Sequence, residues 1–252
     1  MTKGNTQGNH NCQLSIINYQ LKHGFEAFTP KAVLFDMDGV LFDSMPNHAY
    51  AWHRAMKECN IVMGEQEAYL YEGMRGVETI KMKAREQWNR DISDEEAQRM
   101  YDLKSRYFAA CPPARKMEGV EALMQKIKSC GMKIGVVTGS GQRTLLDQLE
   151  EAFPGLLHKE RMVTSFDVRH GKPSPEPYLA GLQKVGVQPW EAIVIENAPL
   201  GVRAAVAAKI FTIAVNTGPL PDQMLLDEGA DIVCKCMDEV KTLIPNPTVS
   251  RG

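Results

Sequence analysis

Asp36 and Asp38 stand one residue apart at the end of a short apolar run, Ala32-Val33-Leu34-Phe35, and Gly39 follows them. Two positions apart on an extended chain is the same side, so both carboxylates can face one site. The glycine lets the chain turn sharply just beyond. Three further groups offer matching chemistry. Thr138-Gly139-Ser140-Gly141 supplies hydroxyls and backbone N–H groups ahead of a helix expected from 142, a setting that suits a phosphate. Lys172 stands in Gly171-Lys172-Pro173-Ser174-Pro175, where two prolines fix the backbone around a cation. Glu196-Asn197 closes a second apolar run, Ala192 to Ile195, with an acid and an amide. Oxygen donors of this kind suit Mg²⁺, which takes carboxylates, waters and substrate phosphate. Each group alone has a plain structural explanation: a turn with solvated acids, a helix cap, a solvated lysine. Their joint presence points to phosphoryl chemistry. Other sites are disfavoured. Gly139-x-Gly141 lacks the third glycine of a dinucleotide fingerprint, and no glycine lies two before Ser140, as a nucleophile elbow needs. Zinc spacing of Cys and His is absent.

The elements that must position these groups follow from the apolar pattern. Strands are expected at 32–35, 132–138, 161–164, 192–195, 211–215 and 232–234. Helices are expected between them, at 120–130, 142–153, 176–185 and 200–209. Strands alternating with helices at this spacing mean an α/β fold, a doubly wound, Rossmann-like parallel sheet. Such a sheet delivers the carboxyl ends of its strands to one crevice, where ligands sit. The stretch from 46 to 113 is different. Helical periodicity at 46–59, 65–71, 77–88 and 93–108, with no strand, makes it an all-helical insert after the first strand. Ser93-Asp94-Glu95-Glu96 reads as a capping box. Cys111-Pro112-Pro113 breaks the last helix and returns the chain. The expected organisation is a core at 31–45 and 114–245, a helical cap at 46–113, and an N-terminal extension at 1–30. Met1 to Asn11 has no pattern and reads as loose; Leu14 to Leu21 holds a short element of undetermined type.

Composition narrows the class. With 252 residues, 44% hydrophobic and 24% charged, the chain can bury a large core. A net charge of −2 gives no field that would favour nucleic acid or an anionic membrane. No apolar run approaches the ~20 residues of a spanning helix. The start of the chain is polar and lacks a secretory pattern. Six cysteines without Cys-x-x-Cys read as reduced thiols in a cytoplasmic protein. The expected partner is a small phosphorylated substrate, and the chain is expected to act as a monomer.

On these residues the chain resembles the haloacid dehalogenase superfamily. Asp-Met-Asp-Gly-Val at 36–40, Val-Val-Thr-Gly-Ser at 136–140, Gly-Lys-Pro at 171–173 and Val-Ile-Glu-Asn at 194–197 resemble its four motifs, in order. The helical insert matches one of its cap types, and Asp43-Ser44, His48 and Trp52 resemble the β-phosphoglucomutase-like branch. The resemblance covers about residues 31–240. It implies that Asp36 is the nucleophile, forming an aspartyl-phosphate, and that Asp38 is the general acid and base. It implies that Thr138, Gly139 and Ser140 hold the phosphoryl group and that Lys172 neutralises its charge. Mg²⁺ would sit on Asp36, the Asp38 carbonyl and Asn197, with Glu196 in support. A dehalogenase is disfavoured, because that branch lacks the second motif-one aspartate and needs no metal.

Two departures set the finer expectation. The last motif usually ends in Asp where this chain has Asn197, an amide that adds no charge. The cap segment Tyr-Glu-Gly-Met-Arg-Gly-Val at 71–77 carries Glu72, with Arg75 nearby, where a sugar-phosphate mutase carries cationic residues. Members with such a glutamate resemble inorganic pyrophosphatases. Glu72 is thus expected to complete the metal shell, and His48 and Arg75 to contact substrate. The expected function is a Mg²⁺-dependent phosphohydrolase acting through an aspartyl-phosphate, with pyrophosphate as substrate. The alternatives are a β-phosphoglucomutase or sugar-phosphate phosphatase and, from Asn197, a non-catalytic phosphate-binding protein.

Overall fold

A computed structural model describes residues 5–140 and 145–244. In chain order its elements are α1 (Asn5–His23), β1 (Ala32–Phe35), α2 (Met45–Glu58), α3 (Glu65–Leu70), α4 (Gly76–Trp88) and α5 (Asp94–Ala109). Then come α6 (Val120–Ser129), β2 (Lys133–Val137), α7 (Leu145–Ala152), β3 (Met162–Val163), α8 (Glu176–Val185) and β4 (Ala192–Glu196). The last elements among the described residues are α9 (Pro199–Ala207), β5 (Phe211–Val215), α10 (Asp222–Asp227), β6 (Ile232–Cys234) and α11 (Met237–Leu243).

The six strands form one parallel sheet in the order β3-β2-β1-β4-β5-β6. All four residues of β1 are fully buried, as a central strand covered on both faces requires. Alternation sorts its side chains. Val33 and Phe35 pack with α6, α7 and α11 on one face, and Ala32 and Leu34 with α8 and α9 on the other. α9 is rich in alanine, which lets it lie close on the sheet; Ala204 and Ala205 are fully buried.

Helices α2 to α5 keep their own apolar cluster, centred on Ala49, Trp52, Met56, Ile61, Ile80 and Ala97. Ser93 caps α5, its hydroxyl accepting the Glu96 N–H at 3.1 Å. The chain segments that join this group to the sheet run side by side. The Asp43 N–H donates to the Arg115 carbonyl at 2.9 Å, and the Asn47 amide to that of Pro112 at 2.9 Å.

The structure differs from the sequence expectation at both ends. The stretch read as loose is helical from Asn5, within a helix that runs to His23. Its sequence is a poor helix former, with Gly8 and several Asn, so packing decides. Tyr19 is fully buried among Phe25, Phe28 and Phe211, and its hydroxyl donates to the Lys209 carbonyl at 2.9 Å. α10 and α11 were not expected; each has seven residues or fewer, too short for a clear period. The expected start of a helix at 142 lies outside the described residues; α7 is described from Leu145.

Candidate active site

β1 and β4 are neighbours in register, Phe35 opposite Ile195, so their carboxyl ends open side by side. The Asp36 N–H donates to the Ile195 carbonyl at 3.0 Å, carrying the pairing one residue past the strand. Asp36, Asp38, Lys172, Glu196 and Asn197 are all buried at this end.

Lys172 spends all three ammonium protons here. They go to Asp36 Oδ1, to Glu196 Oε1 at 2.6 Å and to the Val137 carbonyl at 3.2 Å. Asp36 and Glu196 hold the ammonium well above the usual lysine range, against the desolvation that would lower it. Glu196 is full as well. Its Oε1 also accepts from the Tyr178 hydroxyl at 2.8 Å, and its Oε2 accepts the N–H groups of Asn197 and Ala198 at 2.9 and 3.2 Å. Four donors saturate a carboxylate, so Glu196 anchors Lys172 and does not fit the supporting metal role expected of it. Gly201 makes room for this, since a Cβ there would meet Glu196 Oε1 at 1.8 Å.

On the other side of the cleft, Asp38 Oδ1 accepts from Ser44 Oγ at 2.5 Å and lies 3.2 Å from His48 Nε2. His48 Nδ1 in turn lies 2.8 Å from Lys104 Nζ. Burial alone would raise the Asp38 carboxyl, yet His48, Ser44 and Lys104 bring it below the usual carboxylate range. Lys104 is buried inside a ring of Trp52, Tyr101 and Phe108, and desolvation pushes it down to about 8.

The turn after α3 sets the cap on the core. Gly73 has φ +85°, and a Cβ on it would meet Lys172 Cδ at 2.7 Å. A Cβ on Gly139 would meet the Gly73 carbonyl oxygen at 3.2 Å. Glycines on both sides thus let the backbones touch, and Glu72 is carried into the cleft beside the two aspartates. Burial, then Asp38 and Asp36, push its carboxyl up to about 8. Burial likewise pushes Asp36 up to about 7 despite Lys172, with Glu196 and Asp38 adding to the rise. Four acids thus face two lysines, and that deficit of positive charge adds to the rises that burial causes.

That deficit, and two orphaned atoms, test the site for a cation. Asp36 Oδ2 and Asn197 Oδ1 are buried with no hydrogen-bond partner among the described residues. Hard oxygen donors left open next to excess negative charge fit Mg²⁺. Gly39 is needed beside them, since a Cβ there would meet Asn197 Nδ2 at 2.0 Å.

A cavity of about 400 Å³ opens above the carboxylates. Asp38, His48, Glu72, Lys104, Gly139 and Ser140 line it, with aromatic walls from Trp52, Tyr71, Tyr101 and Phe108. Thr138 is buried just below, its Oγ1 accepting the Ser140 N–H at 3.1 Å. The structure therefore gathers nearly all the sequence candidates. Arg75 is the exception. As N-cap of α4 it lies over the outer seam, where it bonds the Arg169 carbonyl at 3.1 Å and does not line the cavity. Lys104 is the residue sequence reasoning missed.

This fold and cleft are those of the haloacid dehalogenase-like hydrolases, and the chain belongs to that family; its family model matches residues 33–215. Within it the chain falls in the β-phosphoglucomutase-like branch. It is 30% identical to hexitol phosphatase A of Escherichia coli over 87% of this chain and 97% of the relative. It is 31% identical to the phosphorylated carbohydrates phosphatase of Thermotoga maritima, over 81% and 94% respectively. A solved structure from Bacteroides vulgatus, provisionally named a β-phosphoglucomutase, superposes with a TM-score of 0.90 at 50% identity, covering 93% of this chain and 97% of that one.

Proposed function

We propose that the protein is a Mg²⁺-dependent phosphohydrolase that works through an aspartyl-phosphate and takes pyrophosphate as its preferred substrate. The observation that carries this reading is the placement of Glu72. A carboxylate brought by the cap to within Coulombic reach of Asp36 and Asp38 would repel a phosphate ester. It becomes favourable when a cation lies between them. Asp36, the Asp38 carbonyl, Asn197 and Glu72 would hold that cation. When bound, Mg²⁺ would supply charge neutralisation to the phosphoryl group.

The chain's own residues account for the rest. Asp36 attacks phosphorus, and Lys172, fixed against it, offsets charge at the nucleophile. Asp38, ionised at rest, takes a proton from solvent as substrate enters, gives it to the departing oxygen, then takes one from the attacking water. Thr138, Gly139 and Ser140 hold the phosphoryl oxygens at the end of β2. The aromatic walls and the cap turn line the cavity in which the substrate would sit.

A second reading is a sugar-phosphate phosphatase or β-phosphoglucomutase. The cavity volume and its aromatic walls favour it, since about 400 Å³ exceeds what pyrophosphate fills. So do the names of the two phosphatase relatives. A substrate panel with Mg²⁺ separates the two. Pyrophosphate should be hydrolysed at least about tenfold faster than β-glucose 1-phosphate or hexose phosphates. Glu72→Ala should lose about 10- to 100-fold of that rate, as loss of a metal-orienting group does, while slow hydrolysis of small phosphate esters survives. Efficient turnover of a sugar phosphate that is untouched by Glu72→Ala overturns the pyrophosphatase reading in favour of the second.

A further inference from the structure

Tyr178 is fully buried on the inner face of α8, lies outside the cavity wall and has no part in the chemistry above. Its hydroxyl nevertheless donates to Glu196 Oε1 at 2.8 Å, the same oxygen that Lys172 Nζ reaches at 2.6 Å. The ammonium also lies 5.1 Å from the Tyr178 ring centroid. We propose that Tyr178 is a positioning residue for phosphoryl transfer, whose hydroxyl keeps the Lys172 ammonium shared between Glu196 and Asp36.

The lone pairs of Glu196 decide where the ammonium sits. Each carboxylate oxygen accepts about two hydrogen bonds. Glu196 Oε2 is filled by two backbone N–H groups, and Oε1 by Tyr178 and Lys172. With the hydroxyl in place, Glu196 has nothing more to offer Lys172. Its ammonium then keeps one proton on Asp36 Oδ1 and a weaker one on the Val137 carbonyl. Without the hydroxyl, Oε1 exposes an unused lone pair directly beside the ammonium. The nearest proton that can fill it is one of Lys172's own. Nζ then moves toward Glu196 and off Asp36, which loses the contact that fixes its carboxylate plane. A nucleophile misplaced by 1 Å costs about 10²-fold, so a shift of a few tenths should cost about tenfold. Binding should not change, because Tyr178 touches no substrate.

This inference rests on Asp36 as the nucleophile but not on the identity of the substrate. The test is Tyr178→Phe, which keeps the ring beneath the ammonium and the packing volume. Expected are kcat lower by about tenfold with KM unchanged, on pyrophosphate and on a small aryl phosphate alike. The ¹H–¹⁵N resonance of the Lys172 ammonium, held by three acceptors, should shift in the variant without any substrate present. In a Glu196→Gln background, Tyr178→Phe should cause no further loss of kcat. An unchanged kcat overturns the inference. So does a fall in melting temperature with the ammonium resonance unmoved, which is what a purely structural hydroxyl would give. A preference for sugar phosphates leaves the aryl phosphate and resonance measurements decisive.

Discussion

Lys104 Nζ lies 2.8 Å from His48 Nδ1, and this contact fixes the state of the imidazole. An ammonium has only protons to give, so Nδ1 accepts and the ring proton sits on Nε2. Nε2 lies 3.2 Å from Asp38 Oδ1 and donates to it. Burial and the neighbouring Lys104 hold the ring below the usual histidine range, so it stays neutral. Ser44 donates to the same Asp38 oxygen. Neither contact uses Oδ2, which is left to exchange a proton with substrate.

Lys104→Met tests that arrangement. The thioether fits the aromatic ring of Trp52, Tyr101 and Phe108 but leaves His48 Nδ1 without its donor. With the cation gone the ring is free to change tautomer or take up a proton, and its Nε2–H no longer holds Asp38 Oδ1 in one place. The expected result is a fall in kcat of about 10²-fold, the worth of a positioned acid. The loss should be present at both pH 6 and pH 8, because it comes from misplacement of Asp38 and not from a change in its charge. A kcat profile that matches wild type across this range removes Lys104 from the mechanism.

Lys104 was legible in hindsight. Ala97, Tyr101, Lys104 and Phe108 fall at four-, three- and four-residue steps, a single inner face of α5 with a lysine in it. Sequence reading assigns lysine to the outer face by default, and that habit hid it. Asp36, Asp38 and Asn197 were legible because strand ends converge in a parallel sheet whatever the details, and Lys172 because two prolines fix the loop around it. The orientation of Glu196 was not. Which way its carboxylate turns depends on the space that Gly201 leaves and on a tyrosine eighteen positions earlier. Arg75 misled for a similar reason: it neighbours Glu72 in sequence but points over the seam to Arg169.

Asn197 gives the metal prediction. Its Oδ1 is buried and unpartnered, beside an equally unpartnered Asp36 Oδ2. EDTA should abolish activity and Mg²⁺ restore it. Asn197→Ala removes an oxygen donor and should raise the half-saturating Mg²⁺ concentration by about 10- to 100-fold. Asn197→Asp adds charge at the same place and should lower it. Titrating activity against Mg²⁺ in both variants checks the sign, and equal half-saturation in all three proteins would sink the assignment.

Asp231 offers a stability test far from the chemistry. It precedes β6; its Oδ2 accepts the Thr212 N–H at 2.8 Å, and its own N–H donates to the Thr212 carbonyl at 2.9 Å. Burial pushes its carboxyl from 3.8 up to about 6, with the Thr212 amide and Lys22 only partly opposing. The folded state therefore holds this proton more tightly than the unfolded one. Between about pH 4 and pH 6 folding takes up the proton, and stability falls as pH rises through that window. Above pH 6 the buried charge costs its full amount. Partial exposure of the side chain reduces that cost to about 1–2 kcal/mol. Asp231→Asn keeps an acceptor for the Thr212 N–H and removes the charge. At pH 8 it should melt higher by a few degrees, at about 2–4 °C per kcal/mol for a chain of this size. Near pH 4 the wild-type carboxyl is already protonated in the folded state, so the two melting temperatures should coincide. Melting curves at pH 4, 6 and 8 decide it: a variant less stable at pH 8, or an offset that ignores pH, would show that Asp231 is not buried at a cost.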